Sequence, residues 1–159
     1  MPMKKRRKIW RTHKDRLFHR LFSEKENALS LYNALNGTNY GMEDGLKIVT
    51  LEDAIYLTMK NDVAVCLCES INLWEQQSSV NPNMPLRGLM YFSKEYEGWL
   101  SANQKYIYGE KLVKIPAPKF YVLYNGEEQM PEREEYRLTD AFEHPSPGYE
   151  WTAYMVNIN

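Results

Sequence analysis

Hydrophobic positions in this chain change period several times, and each change marks an element. In residues 14–22 Leu17, Phe18, Leu21 and Phe22 form a short amphipathic stretch. Ser23-Glu24-Lys25-Glu26 then reads as a capping box, with Ser23 capping and Glu26 reaching back. Ala28, Leu31, Tyr32 and Leu35 follow at helical spacing and Gly37 is a natural stop, which predicts a helix at about 24–35. Residues 47–51 fit a short strand, and 51–59 fit a helical turn or two. Two β-favouring runs come next, 62–68 and 72–78, with 69–72 as the turn between them. Pro85 suits the first turn of a helix that carries Leu86, Leu89, Met90, Tyr96 and Leu100 and ends near Asn103. The run 120–124 is apolar throughout, which predicts a central strand buried on both sides. Residues 127–148 are polar, contain Pro131, Pro145 and Pro147, and read as an irregular excursion. Alternation returns over 150–158 as a last strand. This order predicts an α/β domain, a mixed β-sheet flanked by helices.

The 159 residues suit one domain. With 43% hydrophobic and 26% charged residues the composition is that of an ordinary globular protein, and no run is long and apolar enough to span a membrane. No apolar run follows the basic N-terminus, so it does not read as a secretory signal. Cys66 and Cys68, two apart on a strand, would point to one side and not bridge; they read as buried hydrophobes in a reducing, cytoplasmic setting. The net charge of −1 conceals an asymmetry. Residues 1–20 hold nine Lys/Arg and one acid, Asp15, leaving 11 basic and 20 acidic residues elsewhere. Residues 1–13 read as a basic flexible arm, with Lys4, Lys5, Arg6, Arg7, Lys8 and Arg11 as candidates for phosphate contact. A solvated tail is the plainer reading of the same charges.

Chemistry concentrates in residues 61–91. If 62–68 and 72–78 form a hairpin, a two-residue turn pairs Cys68 with Ile71, Asp62 with Gln77 and Ala64 with Glu75. A four-residue turn moves the pairing by two and keeps the faces. Asp62, Glu75 and Gln77 therefore project from one side of the sheet. Two carboxylates on one face repel unless a cation lies between them or one is protonated, and oxygen ligands of this kind suit Mg²⁺. By spacing alone, Asp62 as a strand end and Glu75-Gln76-Gln77 as a solvated polar face remains the stronger alternative.

The stretch resembles a family of transposases related to the recombination-promoting nucleases, within the PD-(D/E)XK nuclease superfamily. The resemblance is carried by Asn61-Asp62, Glu75-x-Gln77-Ser78, the run Asn81-Pro82-Asn83-Met84-Pro85-Leu86-Arg87, and Tyr91. Flanking pieces, among them Ile107-Tyr108-Gly109, Tyr124-Asn125-Gly126 and Asn157-Ile158-Asn159, extend it from about residue 16 to the end. It implies a restriction-endonuclease-like core over 14–159, without the further C-terminal region that family members carry. It implies Mg²⁺-dependent hydrolysis of DNA, with Mn²⁺ as a substitute, in transposition or recombination. By position Asp62 and Glu75 match the family's two metal-binding acids, and the backbone carbonyl of Gln76 completes the set. Gln77 stands where the superfamily more often has lysine; it can orient a water or a phosphate but brings no positive charge.

Arg87 and Tyr91 share a helix face. Arg87 either grips a phosphate in a bidentate manner or forms a salt bridge to a sheet carboxylate. Tyr91 reads as core. Glu26 could add a third acid, although the capping box already accounts for it. Trp74, on the face opposite Glu75, is expected to pack against a helix. His13, His19 and His144 are scattered. Two function classes follow: a DNA endonuclease, and a nuclease-fold protein that binds DNA or a partner protein without cutting. A domain that self-associates through edge strands, as a homo-oligomer, is the third reading.

Overall fold

The computed structural model describes residues 16–45, 47–50, 63–67 and 70–159, with the backbone alone for 47–50 and Cys66. The arm at 1–13, the helical turn expected in 51–59, Asp62 and Cys68 lie outside the described residues.

Three helices and six strands are described. Helix α1 covers 16–22, α2 Lys25–Asn36 and α3 Met84–Ala102. The strands are β1 (Lys47–Thr50), β2 (Val63–Leu67), β3 (Ser70–Gln77), β4 (Ala117–Tyr124), β5 (Arg133–Arg137) and β6 (Thr152–Asn157). They form one mixed sheet in the order β1-β2-β3-β4-β6-β5. The pairs β3/β4 and β4/β6 are parallel and the other three are antiparallel. A mixed α/β architecture was legible in the sequence, and β4 is the central strand that its unbroken apolar run predicts.

Period-2 alternation splits the sheet into two apolar faces. Val63, Val65, Leu67, Trp74, Tyr121, Leu123 and Val156 face α1 and α2, where Phe18, Ala28, Leu29, Tyr32 and Leu35 cover them. Ala64, Ile71, Leu73, Phe120, Val122, Tyr124, Ala153 and Met155 face α3, beneath Met84, Tyr91 and Phe92. Trp74 packs against the first layer as expected, edge-on to Phe22 at 6.0 Å. Close approach of α3 depends on Gly88. A Cβ there would strike the Phe120 ring and come within 2.9 Å of Trp151 Nε1.

Four expectations need correction. The β2–β3 connection is 68–69, not 69–72, and Leu67 pairs with Ser70. Ile71 therefore faces Cys66 rather than Cys68, and Leu73 rather than Glu75 faces Ala64. The shift is an even number of residues, so faces are preserved. Second, α2 has Glu24 at its N-cap with no side-chain cap; Ser23 Oγ donates instead to His19 O at 2.6 Å, and there is no capping box. The stop is as read: Gly37 sits at φ 65°, which only glycine adopts freely. Third, 127–148 is not wholly irregular. It contains β5 and a 3₁₀ turn at Leu138–Ala141. Finally, β3 begins at Ser70, two residues before the predicted start.

Candidate functional site

The end of β3 carries the candidate chemistry. Alternation along Ser70–Gln77 sends Ile71 and Leu73 toward α3, and Glu75 and Gln77 continue that side. The chain then reverses through 78–83. Asn81 Oδ1 accepts from the Asn83 backbone at 3.0 Å, and α3 starts at Met84 with Pro85 in its first turn. This reversal lays the first turns of α3 over the end of β3, which is why Arg87 reaches a strand carboxylate twelve positions earlier.

Glu75 is 5% exposed. Arg87 Nη2 meets its Oε1 at 2.7 Å, and Gln77 Nε2 donates to the same oxygen at 2.7 Å. Arg87 also donates from Nε to Tyr91 Oη at 2.7 Å, with its guanidinium carbon 5.5 Å from the Tyr91 ring centroid. Of the two roles read for Arg87, the salt bridge to a sheet carboxylate is formed. Tyr91 is a core residue as read, yet its hydroxyl also steers Arg87. Such a charged pair at the edge of a core requires these donors, because a carboxylate removed from water without partners is strongly disfavoured.

Oxygen donors for a cation are partly present. Gln77 Oε1 is buried with no hydrogen-bond partner among the described residues. The Gln77 carbonyl accepts from Asn125 N, toward β4. Successive carbonyls of a strand alternate, so that of Gln76 is directed toward the β2 side. Carboxylate and carbonyl oxygens, as Glu75 and the Gln76 backbone offer, are donors of the type that suits Mg²⁺. Among the described residues there is no group of three or more His, Cys, Asp or Glu able to hold a metal ion. The second acid read from the sequence, Asp62, directly precedes Val63, whose partner Trp74 directly precedes Glu75.

Only some of the other candidate residues are described. Lys4, Lys5, Arg6, Arg7, Lys8 and Arg11 lie outside the described residues, as do Cys68 and His13. Glu26 is exposed in the first turn of α2, in the layer across the sheet from Glu75. His19 lies beside Ser23, and His144 is exposed.

Sequence reasoning missed a second polar cluster, on the α2 face. Asn72 is fully buried and accepts from Asn36 Nδ2 at 2.9 Å. Asn36 Oδ1 takes Lys119 Nζ at 2.6 Å and Tyr121 Oη at 3.2 Å. Asn72 Nδ2 donates to Ser70 Oγ, which lies 2.7 Å from Tyr32 Oη. An asparagine in the apolar run Ile71-Asn72-Leu73 was the available signal. Nearly every donor here has an acceptor, so the cluster acts as a polar lock between α2 and the sheet. Burial also raises the pKa of the Tyr121 phenol.

Glu95 is a further buried acid, on α3, and desolvation raises its pKa. On the next residue, Tyr96 donates to Pro116 O at 2.7 Å, and burial pushes its phenol up to about 12.

Comparison with known proteins returned no matching family model, no matching curated protein and no matching solved structure. No helix among the described residues is long and apolar enough to cross a membrane.

Proposed function

We propose that this chain is a metal-dependent DNA endonuclease with a restriction-endonuclease-like core, acting in transposition or recombination, whose site is the Glu75 end of β3. The observation that carries the reading is the Glu75–Gln77–Arg87 cluster. A buried carboxylate, a buried amide oxygen and a guanidinium converge at one sheet end, beside a helix N-terminus whose dipole favours anions. The resemblance of Asp62, Glu75-x-Gln77 and the run 81–87 to the nuclease family supports the same assignment.

Asp62, Glu75 and the carbonyl of Gln76 would hold Mg²⁺, or Mn²⁺ in its place. An ion so held makes water more acidic and offsets charge on a phosphate. The chain's own residues perform the rest. Arg87 fixes the orientation of Glu75 and supplies positive charge for a phosphodiester. Gln77 restrains the same carboxylate through Nε2, and its Oε1 can accept from a water and orient it. The basic arm would add phosphate contacts that carry no sequence preference.

One observation favours a second reading, a nuclease fold that binds DNA or a partner protein without cutting. Glu75 Oε1 is already satisfied by two donors from the protein itself. Calorimetric titration with Mn²⁺ addresses the site. The expected result is one ion per chain, with binding lost in Asp62→Ala and in Glu75→Ala. Binding that survives both changes, or no binding by the parent, rejects the proposed metal site.

A further inference from the structure

The connection between α3 and β4, residues 103–116, carries apolar groups that contribute little to the core. Tyr106 is 70% exposed, Tyr108 82% and Leu112 80%, with Ile107 and Ile115 about half exposed. The segment is held at both ends. Lys105 N donates to Leu100 O at 2.9 Å, and the Pro116 carbonyl accepts from Tyr96. The two tyrosine rings meet edge to face at 5.6 Å.

Charge narrows the occupant. Residues 103–119 hold Lys105, Lys111, Lys114 and Lys119 against one acid, Glu110. The following stretch, 120–159, has two arginines against eight acids. Exposed aromatic rings interleaved with lysines, on a chain with an otherwise acidic body, match the chemistry of single-stranded nucleic acid. Bases stack on rings of any sequence context and phosphates meet ammonium groups. A purely apolar partner surface would leave the three exposed lysines without counter-charges, whereas a phosphate backbone supplies them.

We infer that residues 105–114 form a second nucleic-acid contact, with unpaired bases stacked on Tyr106 and Tyr108 and phosphates on Lys105, Lys111 and Lys114. This inference rests on the reading of DNA as substrate. Its position is set by α3. Fifteen residues of helix separate Arg87 from Ala102, roughly 22 Å. At 3.4 Å per step that is about six or seven nucleotides along a stacked strand.

Fluorescence anisotropy with a labelled single strand of roughly 20 nucleotides tests it. The variants are Tyr106→Ala with Tyr108→Ala, Tyr106→Phe with Tyr108→Phe, and Lys111→Gln with Lys114→Gln; all these side chains are exposed, so folding is unaffected. The alanine pair is expected to weaken binding about tenfold or more. The phenylalanine pair should bind like the parent, and the glutamine pair should reduce the salt slope by about 1.4. Unchanged affinity in the alanine pair overturns the inference. So does a loss of self-association by light scattering at unchanged affinity, which would make the segment a contact between copies. Cleavage that depends on Glu75 but not on the tyrosines overturns this inference alone. Tyrosine-dependent binding without cleavage by the parent overturns the nuclease reading alone.

Discussion

Arg87 and Glu75 join helix α3 to strand β3 through a 2.7 Å ion pair, and Gln77 shares the carboxylate oxygen that Arg87 grips. The strand supplies the acid and its restraint two residues apart, on one face. The helix supplies the cation. Replacing Arg87 with alanine removes a counter-charge from a buried carboxylate. A loss of about 1–3 kcal/mol in denaturant unfolding is expected, toward the lower end because the Arg87 side chain is 36% exposed. Combining Arg87→Ala with Glu75→Gln should cost less than the sum of the two single changes. Strict additivity would show that the pair contributes nothing.

Gly88 lies one residue beyond Arg87 and sets how closely α3 approaches β4. In an exposed helix Gly→Ala stabilises by up to about 1 kcal/mol. Here the added methyl meets Phe120, which is 1% exposed and cannot yield. Gly88→Ala is therefore expected to destabilise by about 1–3 kcal/mol. A stabilised Gly88→Ala protein would contradict the packing described.

Asn72 locks α2 to the sheet through Asn36, which in turn holds Lys119 and Tyr121. Asn72→Ala removes one of the two acceptors of the Asn36 amide, the Tyr32 carbonyl at 2.9 Å being the other, and should cost about 1 kcal/mol. Asn36→Ala added to it should cost less than it does alone by their shared hydrogen bond, since Asn36 also serves Tyr32, Lys119 and Tyr121. A double-mutant cycle by urea unfolding measures this directly, and independent effects would show that the two residues are not coupled.

Glu95 predicts a pH dependence of definite sign. Burial raises its pKa in the folded chain above the ordinary 4.5. The folded state then retains a proton that the unfolded state has released. Stability from this group is complete below pH 4.5 and is lost as pH rises through the folded value. Glu95→Gln removes the titration. Relative to the parent, the variant should gain stability as pH rises from 4.5 through the folded value. A difference between the two that does not change with pH would exclude the effect.

Much of the fold was legible because burial imposes simple periods. The helix expected at 24–35 is α2, and the unbroken apolar run at 120–124 became the central strand. Glu75 and Gln77 share a face because the strand period is two, a result that survives the error in the turn. Other features had no local signal. Strand β5 is an edge strand with mostly exposed side chains, so neither an apolar run nor alternation marked it. The Glu75–Arg87 contact depends on how 78–83 reverses the chain, which spacing alone does not specify. Ser23 and Glu26 have the right letters for a capping box, but Ser23 bonds back to His19 and the cap position falls to Glu24. Composition along α3 marks 84, 88, 91, 92 and 95 as one face only once Glu95 is accepted as buried.

Cutting of a phosphodiester at the Glu75 end of β3 is read out by nicking of supercoiled plasmid in Mg²⁺. Parent protein should convert the plasmid to open circles, Asp62→Ala and Glu75→Ala should abolish conversion, and chelation of the metal should do the same. Nicking that persists in both variants would place the chemistry elsewhere. An intact plasmid with parent protein that still binds DNA would contradict cleavage and leave the non-cutting reading in its place.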